Sequence, residues 1–148
     1  MDNSHDITVL NTLIRTTLDS YKGFNDACED TSGQHSQFFQ QMARERSQVA
    51  GQLQAQVSAL GGDPEDDSSF TAAAHRGFMD LKQMVMGSDD QAIIEEVERG
   101  EDYLKEKYEA ALQDDELSPP TRQAIQQAYQ SVRKGHDKAS SLKHQMQG

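Results

Sequence analysis

Residues 4–30 read SHDITVLNTLIRTTLDSYKGFNDACED, and the spacing of their apolar side chains decides the fold class. Ile7, Leu10, Ile14, Leu18, Tyr21, Phe24 and Cys28 recur in steps of three and four, the repeat that lines one face of an α-helix. Asn3 or Ser4 suits its N-cap. Gly33 suits its end, because glycine accepts the left-handed backbone of a C-cap.

The same repeat continues along the chain. Residues 34–60 carry Phe38, Phe39, Met42, Val49, Leu53, Val57 and Leu60 before Gly61-Gly62 stops the helix. An acidic link, GGDPEDDS (61–68), leads to a shorter helix over 69–86 with Phe70, Ala74, Phe78, Leu81 and Val85 on one side. A fourth helix over 90–113 uses Ile93, Val97, Gly100, Leu104, Tyr108 and Ala111. Ser118, followed by Pro119, marks the start of a fifth over 119–145, with Ile125, Ala128, Tyr129, Val132, His136, Ala139 and Leu142 as its stripe. Four of these helices have about 24–28 residues and would span about 36–42 Å. Matched lengths, a short turn at Ser32-Gly33 and a short helix between the second and fourth predict an all-α, ferritin-like up-down four-helix bundle. The extra helix sits in the crossover connection, and the whole of 1–148 forms one domain.

Composition limits what such a bundle can meet. The net charge is −11, which disfavours nucleic acid and anionic membrane as partners. The charge is uneven: residues 61–116 hold 17 acidic against 5 basic side chains, and residues 117–148 hold 1 against 5. The basic last helix is therefore expected to lie beside the acidic fourth. Cys28 is the single cysteine, so no internal disulfide forms. With no signal-like N-terminus and no membrane-length apolar run, a cytoplasmic location is expected.

Several short segments resemble those of a small bacterial ferritin-like family. Ala74-His75-Arg76-Gly77 with Leu81-Lys82 resembles its A-x-HRG-x-x-x-LK signature, and Glu98-Arg99-Gly100-Glu101-Asp102 its ERGED segment. Gly61-Gly62-Asp63-Pro64 is similar to its GGDP turn. Asp19, Gly23, Phe24, Ala27 and Glu29 resemble a run in its first helix, and Tyr129, Val132, His136 and Asp137 its last helix. The resemblance implies a four-helix bundle of unknown function with a loose link to stress. It implies no established activity.

A ferritin-like fold raises the question of iron. Di-iron bundles use a Glu from each of two helices and a Glu-x-x-His from each of the other two, because residues at i and i+3 reach one metal pair. No Glu-x-x-His occurs in this chain. The donors that could serve a degenerate or single iron or zinc site are Glu45, His75, Glu98, Glu101 and His136. Other chemistry is expected to clamp the bundle instead. Arg76 suits a bidentate pair with Glu98, Glu101 or Asp102, tying the short helix to the fourth. Cys28 reads as a packed thiol, and Tyr21, Tyr108 and Tyr129 as residues at the core edge. With no complete catalytic constellation, a non-enzymatic protein without a resident cofactor is expected, acting by self-association as a homodimer or by partner binding.

Overall fold

In a computed structural model, residues 3–31, 33–66 and 90–147 are described. Four helices pack as a bundle: α1 (Ser4–Asp30), α2 (Gly33–Ala59), α3 (Asp90–Leu112) and α4 (Pro119–Gln147). The expected helix over 69–86 lies outside the described residues, and with it His75 and Arg76. No helix among the described residues is long and apolar enough to cross a membrane.

Helix direction follows from which residues share a level. At one end, Leu10, Leu13, Ile14 and Leu18 of α1 meet Val49, Leu53 and Val57 of α2, Leu104, Tyr108 and Ala111 of α3, and Ile125, Ala128 and Val132 of α4. At the other end, Phe24 and Ala27 meet Phe39, Met42 and Ala43, then Ile93, Ile94 and Val97, then Ala139. Numbers therefore rise along α1 and α4 in one direction and along α2 and α3 in the other. Each helix packs on two antiparallel neighbours, α1 on α2 and α3, and α4 on α3 and α2. The link from α2 to α3 starts at the Leu10 end and finishes at the Phe24 end.

Local chemistry fixes the turns. Gly61 has φ +82°. The Gly62 N–H donates to the Val57 carbonyl at 3.0 Å and the Gly61 N–H to that of Ser58 at 3.0 Å, the paired bonds of a Schellman ending. Asn3 stands at the N-cap of α1, but its side chain does not cap. Its amide donates instead to the Leu60 carbonyl, 3.2 Å away, stitching the start of α1 to the end of α2. Thr31, in extended backbone, closes α1, and Gly33, at φ +64°, opens α2 rather than ending the helix before it.

The start of α4 is held by a residue 112 positions away. Asp6, only 5% exposed, accepts from the Ser118 hydroxyl at 2.5 Å, the Ser118 N–H at 3.3 Å and the Thr121 hydroxyl at 3.0 Å. A buried carboxylate thus completes the cap that Ser118 alone was expected to supply. Hydrogen bonds to a charged acceptor are worth about 1.5–3 kcal/mol. Asp6→Ala is therefore expected to destabilise the fold by about 2–3 kcal/mol in urea denaturation, with Thr121 left buried and short of its acceptor.

Candidate functional site

Between the two apolar clusters runs a polar layer. The gap falls after Leu18 and before Phe24 in α1, after Ala43 and before Val49 in α2, after Val97 and before Leu104 in α3, and after Val132 and before Ala139 in α4. The gaps hold Ser20, Arg46, Glu101 and Gly135, and on α1 also the buried Asp19 and Gly23. Ser20, Arg46 and Glu101 are at most 1% exposed. Each continues the three-and-four spacing of its own apolar stripe, so the helical repeat itself carries it inside.

Arg46 and Glu101 form an ion pair across the bundle. The Ser20 hydroxyl donates to the other carboxylate oxygen at 3.0 Å. The Arg46 guanidinium lies 5.7 Å from the centre of the Phe24 ring, a favourable cation–π distance. Its Nη2 also approaches the Val132 carbonyl at 3.5 Å. Space for it comes from α4: a Cβ on Gly135 would collide with Arg46 Nη2 and with the Met42 methyl. Nε and Nη1 of Arg46 are buried without a hydrogen-bond partner. Towards the Leu10 end, Tyr108 and Thr17 share a hydrogen bond at 2.6 Å, and burial pushes the Tyr108 hydroxyl up to about 12.

Burial also pushes the Glu101 carboxyl above the usual carboxylate range, against the opposite pull of Arg46 and Ser20. The native chain therefore holds this proton to a higher pH than the unfolded chain does. Taken alone, the group lowers stability as pH rises from 4.5, its ordinary value, towards its folded value. That sign agrees with the general behaviour of buried ion pairs, whose desolvation can exceed their attraction.

The remaining sequence-predicted residues lie around this layer. Glu45 is on the outer side of α2, with Lys138 Nζ 3.8 Å from its carboxylate. Glu98 is half-buried, one turn before Glu101. His136 sits at the bundle edge, paired through Nε2 with Asp102, and through Nδ1 with Asp137 at 3.4 Å. Its neighbour Gly135 takes the core position that the stripe assigned to His136. Among the described residues Glu101 pairs with Arg46 of α2 and Asp102 with His136, while Arg76, the expected clamp partner, lies outside the described residues. No three of Glu45, Glu98, Glu101 and His136 gather as metal donors. The mid-bundle donor set, one carboxylate already holding a guanidinium, does not fit a dimetal centre, since the fixed cation opposes a second one.

Reasoning from sequence missed Arg46, Ser20, Thr17 and Gly135. The signal was present: the α2 stripe as read skips from Met42 to Val49, a missing turn that Arg46 fills. In α3 the true inward residue is Glu101, beside the Gly100 that the stripe had used.

No curated protein matches the chain. A family model described as "Domain of unknown function (DUF2383)" matches residues 5–114, a stretch that holds α1 from its second residue, α2, α3, Arg46 and Glu101, and this protein belongs to that family.

Proposed function

We propose that the protein is a non-enzymatic, ferritin-like bundle that acts by association, as a homodimer, in a stress-related setting, rather than by turning over a substrate. The observation that carries the reading is the Arg46–Glu101 pair. Bundle proteins build metal and cofactor centres at mid-core from side chains of facing helices. Here that level is filled by a guanidinium, its carboxylate and the hydroxyl of Ser20. The order of the helices, two antiparallel pairs joined by a link that returns the chain to the far end, supports the ferritin-like description. The net charge of −11 favours a protein surface over nucleic acid as the partner.

Two measurements on the untagged full chain test this. Ferrous iron mixed with the protein in air is expected to oxidise no faster than in buffer. Sedimentation over a concentration series is expected to give a dimer that dissociates on dilution. Catalysed iron oxidation that disappears in Glu101→Gln would overturn the non-enzymatic reading. A monomer at every concentration would overturn self-association.

A further inference from the structure

A second cluster of chemistry lies at the Leu10 end of the bundle, away from the polar layer. His5, on the first turn of α1, meets the turn that joins α3 to α4. Its Nε2 lies 2.7 Å from Asp114 Oδ2 and 3.7 Å from Glu116 Oε2. One donor atom from each of the three residues falls within 4.8 Å of the others. We propose that His5, Asp114 and Glu116 bind one divalent transition-metal ion of the zinc class. This goes beyond the association reading and does not depend on it.

The donor set suits such an ion. One imidazole nitrogen and two carboxylate oxygens are borderline-to-hard ligands, and three protein ligands leave a fourth position for water. Tetrahedral zinc with bonds of about 2.0–2.2 Å places neighbouring donor atoms about 3.3–3.6 Å apart. The His5–Glu116 separation of 3.7 Å lies just above that range. The His5–Asp114 separation must open by less than about 1 Å, as the shared proton gives way to the metal.

The backbone on both sides of the site is held before any ion arrives, while the Glu116 carboxylate, 80% exposed, is free to close on it. Asp114 Oδ1 accepts the Glu116 N–H at 2.9 Å, which leaves Oδ2 directed at His5. Arg122 grips the carbonyls of Leu112, at 2.6 Å, and Asp114, so the turn is held from α4. Next to His5, Asp6 is bonded to Ser118 and Thr121, which locks the start of α1 to the same turn. Supporting bonds of this kind orient metal ligands and raise affinity. The charges facing His5 are those of Asp114, Glu116 and Asp6. All three favour a cation. Arg122 opposes it, but its nitrogens are directed at carbonyls.

The hydrogen bond to Asp114 raises the His5 imidazole above its ordinary 6.5. A proton therefore competes with the metal, and binding should release protons and weaken as pH falls.

Calorimetric titration of the untagged full chain with zinc chloride tests the site. One zinc per chain is expected at neutral pH, with proton release. His5→Gln and Asp114→Asn should each weaken binding by about tenfold or more. His144→Gln, at an exposed histidine of α4, should leave it unchanged. Zinc should also raise the melting temperature of the wild-type chain and not that of His5→Gln, because only the former ties α1 to the turn. Circular dichroism checks that the variants fold, His5 and His144 being exposed and Asp114 half-buried. The same zinc affinity in His5→Gln, loss of binding in His144→Gln, or no saturable binding to the wild-type chain would each overturn the proposal.

Discussion

Glu101→Leu is expected to destabilise the bundle by about 3–5 kcal/mol, because it leaves the Arg46 guanidinium buried without its carboxylate. Glu101 is fully buried and Arg46 is 1% exposed, so water cannot take the place of the lost partner. Two guanidinium nitrogens already lack acceptors, and the substitution removes the best one that remains. Arg46→Met alone should cost less, since the raised carboxyl of Glu101 can take up a proton and keep its bond from Ser20. The double variant, Arg46→Met with Glu101→Leu, should recover wild-type stability or exceed it by about 1–4 kcal/mol, as apolar replacements of buried pairs do. Urea denaturation of the four proteins gives these values. A Glu101→Leu variant as stable as wild type would mean that the pair contributes nothing to the folded chain.

Gly135→Ala tests the room that the guanidinium needs. In an ordinary exposed helix position this change stabilises by about 1 kcal/mol. Gly51, exposed in α2 with nothing within 4 Å of a built Cβ, should show that gain. At Gly135 the new methyl would collide with Arg46 Nη2 and the Met42 methyl. Both are ends of flexible side chains, but Arg46 is held by Glu101 and cannot retreat without breaking the pair. Overpacking costs about 1–3 kcal/mol, and the disturbed ion pair adds to it, so the net change should be destabilising by about 1–3 kcal/mol. In the Arg46→Met, Glu101→Leu background the penalty should shrink. Equal penalties in both backgrounds would show that Gly135 is needed for some reason other than room for the guanidinium.

The pairing of His5 with Asp114 has its own signature in pH. His5 is raised by the hydrogen bond to Asp114, and Asp114 is lowered, first by the Glu116 N–H and then by His5. The histidine part of this stability is present below pH 6.5 and is lost as pH rises through the higher folded value. The aspartate part is present above 3.8 and is lost as pH falls through the lower folded value. Metal-free His5→Gln should therefore melt below wild type at mildly acidic pH and together with it in mild alkali. A difference that persists unchanged into alkali would show that the ion pair is not its source.

The helices were legible because their apolar residues keep strict three-and-four spacing over many turns. The ends of α1, α2, α3 and α4 fall within two residues of those read from Gly33, Gly61, Ser118 and the stripes. What stayed hidden was the meaning of the interruptions. Arg46 and Glu101 sit on the inward faces, yet a lone charge in a stripe reads as a turn facing water until its partner is known. That partner lies 55 residues away on another helix. Gly135 is intelligible only beside Arg46, and His136, one residue on, drew attention because histidine is a familiar ligand. The Asp6 cap and the His5 cluster were illegible for the same reason: they join positions more than 100 residues apart, and helical periodicity says nothing about which ends meet.

The Arg46 guanidinium is locked inside the bundle by Glu101. Side-chain NMR of arginine-labelled protein measures this directly. For Arg46 it should give guanidinium protons protected from exchange and slow rotation about the bond to the terminal nitrogens, with Glu101→Gln releasing that rotation, while exposed Arg99 exchanges fast in both proteins. An Arg46 signal as fast and as freely rotating as that of Arg99 in the wild-type chain would contradict the polar layer and the functional reading built on it.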